Sequence, residues 1–298
     1  MGDKKETVGM IGLGIMGSAM SANLMAAGFP VVGYDVSEHA MTSFRDSGGQ
    51  AAASARDVGE RARLLITSLP STKALDDIVR DLANLPKAER ILAETSTFPL
   101  EDKERARKQL EQGGITMLDC PLSGAGNQAR VRDVLVYASG ERAAYDSILP
   151  VFEAFSRSPH HVGPFGNGSK MKYVANLLVA IHNAAAGEAF ALARKAGLDP
   201  AQMFALVSDG AGGSRAMQVR GEMLIADTYL PVVTMPLELW RKDMKVIAEF
   251  ANALACPTPM FSATVPLYNA AVASGYGDQD TAAVCAVIEN MAGLPRPA

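Results

Sequence analysis

Short apolar runs alternate with amphipathic stretches through the first half of the chain. The run from Thr7 to Leu13 is followed by a glycine-rich turn, and the pattern then becomes helical until Gly28. Further strands are predicted at 30–35, 63–68, 90–94, 115–119, 133–139 and 157–162, and further helices at 38–47, 71–84, 99–112 and 141–155. Such alternation predicts an α/β fold with a doubly wound parallel sheet.

A different pattern begins in the middle of the chain. Residues 166–197 are apolar and alanine-rich without an internal proline, which predicts one long helix. At about 100° per residue, one face of this helix carries Lys172, Asn176, Asn183 and Arg194. A helix this apolar should be mostly buried, and buried lysine and asparagine are costly unless they are paired or used. The polar face therefore marks candidate functional residues.

The rest of the chain is helical in pattern. After Asp199 and Pro200, which form a favourable helix start, helices are predicted at 200–209, 214–225, 237–254, 259–274 and 280–291, with no convincing strand. Asp280 is predicted to cap the last helix. The second half is therefore expected to form an all-α C-terminal domain.

Composition narrows the class of protein. With 298 residues the chain is expected to hold two domains, because single cores stop growing near roughly 250–300 residues. Hydrophobic residues make up 48%, charged residues make up 20%, and the net charge is −4. These values are typical of a globular protein and give no basic surface for nucleic acid, so a DNA- or RNA-binding protein is disfavoured.

The cysteines and the N-terminal residues give an expectation for the cellular compartment of the protein. Cys120, Cys256 and Cys285 are far apart and cannot all pair within one chain, which favours reduced thiols in a cytoplasmic protein. The first residues lead into a strand without a signal-peptide pattern, and no apolar run of membrane-spanning length is free of polar interruption. We therefore expect no membrane association. The four histidines lack metal-ligand spacing, so no metal site is expected.

A GxGxxG motif lies between the first strand and the first helix. Its first glycine permits a tight turn, the second allows the backbone to approach a pyrophosphate, and the third permits close packing of the helix. The N-terminus of the helix attracts the phosphate charge. The predicted dinucleotide-binding turn comprises Gly12, Leu13, Gly14, Ile15, Met16 and Gly17.

Asp35 ends the second predicted strand, 18 residues after Gly17. An acid at this position binds the adenosine ribose hydroxyls. A carboxylate accepts hydrogen bonds from a 2′-hydroxyl but repels a 2′-phosphate. No arginine directly follows Asp35, and Arg45 is the nearest. We therefore expect NAD as the cofactor and consider NADP less favoured.

Other predicted strands end in polar loops, at 68–71, 94–97 and 119–124. Ligand-binding loops leave the carboxyl ends of the strands in a doubly wound sheet. Thr97 and Ser123 are accordingly candidate site residues, although each loop could also be a polar turn without a function.

Four segments together carry a family resemblance: GLGIMGSAMSANLMAAG, DCPLSG, GNGSKMKYVAN and WRKDMKVIAEFANALACPTP. In this order they resemble the β-hydroxyacid dehydrogenase family, which includes 3-hydroxyisobutyrate dehydrogenase and tartronate semialdehyde reductase, over essentially the whole chain. The resemblance implies a Rossmann-type dinucleotide-binding domain at 1–165. It also implies an all-helical C-terminal domain at 166–298, beginning with a long interdomain helix, and a substrate bound between the two domains.

The same resemblance implies a catalytic pair. The family pattern GxGxxxKxxxN places the catalytic lysine at Lys172 and its companion at Asn176, and it selects Lys172 over Lys170. The ammonium would donate a proton to the reacting oxygen during reduction and help to remove it during oxidation. An unperturbed lysine has a pKa of about 10.4, so partial burial that lowers the pKa would suit this role.

Binding roles follow from the resemblance as well. The loop that binds the substrate carboxylate corresponds to Ser123, Gly124 and Ala125. The lysine of the KD motif, which reaches the substrate and the cofactor from the second domain, corresponds to Lys242. The loops that line the cofactor correspond to Leu69, Pro70 and Thr97.

The loop after Ser123 departs from the family. The usual pattern is SGG followed by xxGAxxG, whereas this chain reads SGAGNQARVRD. Ala125, Gln128 and Arg132 occupy positions of expected glycines, which predicts a reshaped substrate pocket. Arg130 and Arg132 are expected to be solvated hairpin residues, with binding of a second anionic group as the alternative.

The sequence thus predicts an NAD-dependent oxidoreductase that interconverts a β-hydroxy acid and its semialdehyde or keto acid by hydride transfer. An imine reductase of related architecture is one alternative, but those relatives place a different residue at the catalytic lysine. A nucleotide-binding scaffold without turnover is another. The apolar faces of the second domain make a homo-oligomer the expected assembly.

Overall fold

The computed structural model describes residues 5–294 and contains two compact units. The first unit ends at Lys172, and the second begins at Tyr173. The division falls inside a long helix, about one and a half turns after that helix begins at Asn167.

A six-stranded parallel sheet forms the centre of the first unit. The strands pair in the order β3-β2-β1-β4-β5-β6, and their bounds are β1 (Val8–Ile11), β2 (Val31–Tyr34), β3 (Gln50–Ala51), β4 (Leu64–Thr67), β5 (Arg90–Glu94) and β6 (Ile115–Asp119). The helices between them are α1 (Ile15–Ala26), α2 (Glu38–Asp46), α3 (Ala55–Arg61), α4 (Thr72–Ala83) and α5 (Leu100–Gln112). This topology confirms the predicted doubly wound sheet. Its switch point lies between β1 and β4, where ligands bind in such folds.

Both faces of this sheet are buried. On β1, Met10 joins one hydrophobic cluster and Ile11 joins another, and on β4 the same alternation separates Ile66 from Leu65. Successive side chains of a strand point to opposite faces, so each cluster belongs to one face of the sheet. Helices therefore cover the sheet on both sides, as parallel sheets require.

A smaller sheet completes the first unit. It contains β7 (Leu122–Ser123), β8 (Leu135–Ala138) and β9 (Ser158–His161), and the connections include α6 (Gly126–Arg130) and α7 (Arg142–Phe155). β7 and β8 are antiparallel, whereas β8 and β9 are parallel. A bridge between Asp119 and Ser139 joins the end of β6 to the end of β8.

The second unit is helical. It contains most of α8 (Asn167–Lys195), followed by α9 (Pro200–Asp209), α10 (Arg215–Ala226), α11 (Leu237–Ala253), α12 (Pro259–Ala271) and α13 (Val284–Met291). Short π- and 3₁₀-helical segments lie at Val272–Tyr276 and Thr281–Ala283. Between residues 173 and 294 the structure has no named strand, which confirms the predicted all-α domain.

Sequence patterning does not predict β3, α3 or α6. These elements contain 2, 7 and 5 residues, so they are too short for a hydrophobic period to appear. Residues 126–130 lie in the connection between the antiparallel strands β7 and β8, so Arg130 and Arg132 occupy a hairpin as expected. Residues 126–130 form a helical turn that ends at Arg130, which is exposed.

Polar residues of α8 are buried together with its apolar ones. The buried side chains of this helix include Lys172, Asn176 and Asn183, whereas Val174 and Leu178 are 56% and 46% exposed. By length and composition alone α8 could cross a membrane, with a mean hydropathy of 1.2 over its most apolar window, although 44% of that window is buried inside the protein. Core helices meet the same criterion.

Candidate active site

The three glycines of the GxGxxG turn differ in their surroundings. Gly12 has a φ of +91°, and a Cβ there would overlap the carbonyl oxygen of Ser68. A Cβ on Gly17 would overlap the carbonyl oxygen of Gly12, whereas none of the described atoms lies within 4 Å of a Cβ on Gly14. Gly12 and Gly17 are therefore required by the fold, and Gly14 leaves open space in front of the backbone.

α1 begins directly after this open space. Gly14 is its N-cap residue, and among the described residues no side chain caps the helix and no acid lies in its first turn. Ile15, the first helical residue, is 47% exposed, and Met16 is half-buried. The first N–H groups of a helix have no partner within the helix, and its positive end favours an anion. The turn therefore fits the pyrophosphate of a dinucleotide.

Asp35 links this turn to the end of β2. Its Oδ2 accepts a hydrogen bond from the backbone N–H of Leu13 at 2.6 Å, and its Oδ1 accepts one from Ser37 at 2.8 Å. Each carboxylate oxygen retains a second lone pair, so both can still accept hydrogen bonds from ribose hydroxyls. Arg45, the nearest arginine, is ion-paired with Glu38 at 2.8 Å.

Loops after β4 and β5 lie beside the glycine-rich turn. The backbone N–H of Leu69 donates to Oγ of Ser96 at 2.8 Å, and the Cβ position of Gly12 is 3.4 Å from Cδ2 of Leu69. Pro70 is exposed, and Thr97 is 9% exposed. The structure therefore brings Leu69, Pro70 and Thr97 to the predicted edge of the sheet, while their contact with a cofactor stays a prediction.

The predicted substrate loop lies next to the start of α1. Ser123 is on β7 and half-buried. Gly124 has a φ of +139°, and a Cβ there would lie 2.7 Å from Cγ1 of Val134, so this position needs a glycine. A Cβ on Gly126 would overlap Cγ2 of Ile15. The loop and the glycine-rich turn are therefore neighbours within the first unit.

Side chains occupy the places of the missing glycines in this loop. The backbone N–H of Ala125 donates to Oε1 of Gln128 at 3.1 Å, and Nε2 of Gln128 donates to Oδ2 of Asp133 at 3.0 Å. Arg132 has a φ of 62°, and its Nη2 donates to the carbonyl oxygen of Glu153 at 2.6 Å. These contacts hold a helical turn within the hairpin connection between β7 and β8, where Arg130 and Arg132 are exposed as expected. They also bind the Arg132 guanidinium to a backbone carbonyl, which gives no support to the alternative of a second anion site.

Two glycines allow α8 to begin directly against the sheet. Gly166 has a φ of +92°, and a Cβ on Gly168 would overlap the carbonyl oxygen of Tyr137 and lie 2.7 Å from that of Asp119. These are the glycines of the GxGxxxK pattern. Close packing at Gly168 therefore fixes the distance between the strand ends and the helical turn that carries Lys172.

A buried polar network lies beneath the first turn of α8. Asp119 accepts hydrogen bonds from the backbone N–H and the hydroxyl of Ser169, at 2.7 and 2.8 Å. Nζ of Lys103 lies 2.8 Å from Oδ1 of Asp119 and 2.6 Å from Oε2 of Glu94. Lys103, Glu94 and Asp119 are each 0% exposed.

The network is charged. Burial lowers the pKa of Lys103, but the carboxylates of Asp119 and Glu94 together raise the pKa above its ordinary value. Sequence reasoning placed both acids at strand ends but missed Lys103 and Ser169. The only signal for them would have been a lysine on the predicted helix 99–112 and a serine in the glycine-rich start of α8.

Within the second unit, α11 brings two further residues to Asn176. Nδ2 of Asn176 donates to Oδ2 of Asp243 at 2.8 Å, and Nζ of Lys242 is 3.2 Å from Oδ1 of Asp243. Asn176 and Asp243 are each 3% exposed, and Lys172 on the preceding turn of α8 is 9% exposed. The sequence identified Lys242 through the KD motif but gave Asp243 no role.

Metal chemistry finds no support in the described residues. Between residues 5 and 294, no group of three or more His, Cys, Asp or Glu side chains is arranged to hold a metal ion. All three cysteines are free, with Cys120 and Cys285 buried and Cys256 exposed. Burial raises the pKa of the Cys120 thiol well above its ordinary value, which makes it a poor nucleophile.

Comparison with known proteins decides the family. The family model described as the NAD binding domain of 6-phosphogluconate dehydrogenase matches residues 7–163, and the one described as the NAD-binding domain of NADP-dependent 3-hydroxyisobutyrate dehydrogenase matches residues 166–288. The chain belongs to the β-hydroxyacid dehydrogenase family. Membership confirms the resemblance seen in the four motifs and shows that the cofactor is a nicotinamide dinucleotide.

Individual relatives agree with this membership. The 2-hydroxy-3-oxopropionate reductase of Escherichia coli K12 is 30% identical over 96% of this chain and 98% of its own length. The L-threonate dehydrogenase of Cupriavidus necator is 28% identical over 94% of this chain and 95% of its own length. The 3-hydroxyisobutyrate dehydrogenase structure from Salmonella typhimurium has a TM-score of 0.86 at 30% identity and covers 95% of this chain and 100% of that one.

Imine reductases are more distant. The Streptomyces aurantiacus imine reductase has a TM-score of 0.66 at 21% identity, and covers 95% of this chain and 99% of that one. Such a likeness shows the shared fold alone. The family matches therefore favour a hydroxyacid dehydrogenase or reductase over the imine reductase alternative.

Proposed function

We propose that this protein is an NAD-dependent enzyme that interconverts a β-hydroxy acid and its semialdehyde or keto acid, with Lys172 moving the proton. The observation that carries the proposal is the burial of Lys172 and Asn176 one turn apart on α8. Residues at i and i+4 lie on the same helical face, so both can contact one substrate atom.

Lys172 handles the proton of the reacting oxygen in this mechanism. A nicotinamide dinucleotide, when bound, would supply the hydride chemistry at the substrate carbon. During reduction the Lys172 ammonium donates its proton to the carbonyl oxygen, and during oxidation the neutral amine accepts the hydroxyl proton. Asn176 gives one Nδ2–H to Asp243, which leaves its second Nδ2–H to donate a hydrogen bond to the reacting substrate oxygen, an acceptor in both directions of the reaction.

Substrate binding is assigned to the loop at β7 and to α11. The hydroxyl of Ser123 and backbone N–H groups at Gly124 and Ala125 donate to the substrate carboxylate, and the Lys242 ammonium adds positive charge. Charge-assisted hydrogen bonds of this kind are roughly twice as strong as neutral ones. An uncharged substrate would lose them, so the proposal commits to a carboxylic acid.

Asp35 supports NAD as the preferred dinucleotide. Its carboxylate is fixed at the end of β2 by Leu13 and Ser37, and there it would repel the 2′-phosphate of NADP. The nearest arginine, Arg45, is paired with Glu38. The glycine-rich turn from Gly12 to Gly17 and the loops at Leu69, Pro70 and Thr97 would hold the remainder of the dinucleotide.

Assembly and location are also proposals. Exposed apolar side chains on the helices of the second unit, among them Leu192 at 72% and Leu206 at 71%, support a homo-oligomer. Light scattering of the purified protein tests this proposal, and a monomeric mass would contradict it. The free cysteines support a cytoplasmic protein, and no nucleic acid or membrane partner is proposed.

A screen for turnover tests the function. Purified protein is mixed with NAD or NADP and a panel of 3-hydroxy acids, and the absorbance of the reduced nicotinamide is followed. The panel spans 3-hydroxyisobutyrate, glycerate, serine, threonate and bulkier or doubly anionic analogues. A strong NAD-linked rate is expected for at least one acid. Binding of reduced cofactor without turnover across the panel would favour an imine substrate or a non-catalytic scaffold.

A further inference from the structure

We propose that Asp119, Lys103 and Glu94 form a positioning network that sets where the catalytic ammonium of Lys172 lies relative to the cofactor loops. This inference rests on the proposed function, since it takes Lys172 as the proton-transferring residue. All residues of the network lie in the first unit, on β5, α5, β6 and the first turn of α8.

Asp119 holds the start of α8 through two successive residues. The carboxylate accepts the backbone N–H of Ser169 at 2.7 Å and its hydroxyl at 2.8 Å. The hydroxyl of Ser139 donates to the same carboxylate at 3.2 Å and accepts the backbone N–H of Gly168 at 2.9 Å. Asp119 and Ser139 therefore accept the first-turn N–H groups of Ser169 and Gly168, which have no partner within the helix, as capping side chains would.

These contacts fix both the height and the rotation of the helix. Lys172 follows Gly168 by four residues and Ser169 by three, so it lies on the same face one turn later. Packing at Gly168 leaves no room for the helix to move toward the sheet. The hydrogen bonds to Asp119 and Ser139 prevent the helix from moving away or rotating. Any rotation of this turn would displace the Lys172 ammonium.

Lys103, held by Glu94, offsets the free-energy cost of burying the charged carboxylate of Asp119. An isolated buried carboxylate is strongly disfavoured, and the Lys103 ammonium compensates its charge at 2.8 Å. Glu94 holds the other side of that ammonium at 2.6 Å. The cluster has two carboxylates and one ammonium, and the positive end of α8 lies next to the excess negative charge.

The network continues to the loops predicted to bind the cofactor. Oε1 of Glu94 accepts the backbone N–H of Ser96 at 2.8 Å, and Oγ of Ser96 accepts the backbone N–H of Leu69 at 2.8 Å. One chain of polar contacts thus joins Leu69, in a cofactor loop, to Ser169 at the start of the catalytic helix. This chain of contacts couples the position of the cofactor loop at Leu69 to the position of Lys172. A network that served stability alone would not need to connect these two segments.

Two variants with a matched control test the inference. Ser169→Ala removes one hydroxyl contact to Asp119 and leaves every charge in place. Asp119→Asn removes the negative charge that pairs with the Lys103 ammonium and that accepts the hydrogen bonds of Ser169. The control is Ser156→Ala, which removes another buried hydroxyl of the first unit, one that donates to the carbonyl oxygen of Phe152 at 2.7 Å within its own helical segment.

Turnover per folded molecule is the first readout. A misplacement of about 1 Å costs about 100-fold in rate, so kcat should fall about tenfold in Ser169→Ala and about 100-fold in Asp119→Asn. The Kd for NADH should stay within about twofold, because the proposal assigns these residues a role in positioning Lys172 and none in binding the dinucleotide. Ser156→Ala should keep the wild-type kcat. A kcat that stays unchanged in both test variants would overturn the inference and leave the network a purely structural role.

Hydrogen exchange provides a readout that does not depend on turnover. Amide exchange across residues 166–172 should accelerate in Ser169→Ala and Asp119→Asn but not in Ser156→Ala, and unchanged exchange would overturn the inference. Failure of the proposed function has a different signature, since Lys172→Ala would then retain turnover while exchange across 166–172 still responds to Asp119→Asn.

Discussion

Asn176 donates a 2.8 Å hydrogen bond from Nδ2 to Oδ2 of Asp243, and both side chains are 3% exposed. Asp243 also lies 3.2 Å from the ammonium of Lys242. One buried carboxylate thus fixes the amide of the GxGxxxKxxxN motif and pairs with the lysine of the KD motif. Asn176 and Asp243 are 67 residues apart in the sequence. Their hydrogen bond therefore brings the two motifs together.

Asp243→Ala should lower turnover without abolishing it. The variant frees the amide of Asn176 and removes the partner of Lys242, so we expect kcat to fall by about 10- to 100-fold. A buried amide without its partner should also cost about 1–3 kcal/mol of unfolding free energy. The control is Glu249→Ala, which removes an exposed carboxylate from the same helix. Equal kcat values for the two variants would show that Asp243 does not position Asn176.

Gly14→Ala should weaken dinucleotide binding and leave the fold intact. None of the described atoms lies within 4 Å of the added methyl, so the free energy of unfolding should change by less than about 0.5 kcal/mol. The methyl would occupy the space expected for the pyrophosphate, and we expect the Kd for NADH to rise at least about tenfold. Fluorescence titration of NADH measures this change.

Gly12→Ala is the matched comparison. The positive φ and the overlap with Ser68 should cost about 2–4 kcal/mol of unfolding free energy, seen as a lower urea midpoint. Tight NADH binding by Gly14→Ala would show that the pyrophosphate does not approach this turn.

Asp35→Ala should shift the cofactor preference toward NADP. Removing the carboxylate removes repulsion of the 2′-phosphate and the acceptor for the ribose hydroxyl. We expect the ratio of kcat/KM for NAD to that for NADP to fall at least about tenfold. Loss of the contact to Leu13 also loosens the glycine-rich turn, so both dinucleotides should bind more weakly. A ratio equal to that of the wild type would show that another residue selects the ribose.

Asp280 should make the protein sensitive to acid. Burial raises its pKa, but the neighbouring Arg220 and hydrogen bonds from Thr234 and Ala282 lower it more, so the net pKa lies below the ordinary value of 3.8. A lowered carboxyl pKa contributes stability above the unfolded-state value, and this contribution is lost as the pH falls through the folded-state value. The contribution should therefore be complete at neutral pH and decline below about pH 3.8.

Asp280→Asn measures that contribution. At pH 7 the variant should be about 3–5 kcal/mol less stable than the wild type, since it breaks a buried ion pair with Arg220 at 2.8 Å. The difference between the two proteins should shrink as the pH is lowered, in urea unfolding followed by circular dichroism. A difference that stays constant from pH 7 to below the ordinary carboxyl pKa would contradict the account.

Local signals in the sequence are sufficient for much of this fold. The different demands on Gly12, Gly14 and Gly17 were predictable because each follows from its place in a strand-turn-helix unit. The polar face of α8 was predictable because helical periodicity places Lys172 and Asn176 together. Asp280 caps the 3₁₀ turn before α13 by accepting the N–H of Ala282, as a cap signal at that position predicted.

Long-range polar pairs could not be predicted in the same way. Ser169 and Asp119 are 50 residues apart, and Lys103 is 16 residues from Asp119. No periodicity relates such positions, and a lysine on a predicted amphipathic helix is ordinarily exposed. The helical turn from Gly126 to Arg130 was missed because side-chain bonds from Gln128, and not apolar spacing, stabilise it.

The most direct test of the central claim compares Lys172→Ala with Lys170→Ala. Lys170 is exposed and two residues away, so the pair separates the buried lysine from a general loss of charge at this end of α8. Turnover of the best hydroxy acid substrate and the Kd for NADH are measured for both variants. Lys172→Ala should lose at least about 100-fold in kcat with NADH binding unchanged, and Lys170→Ala should match the wild type. A Lys172→Ala variant with near wild-type kcat would contradict the assignment of Lys172 as the proton-transferring residue.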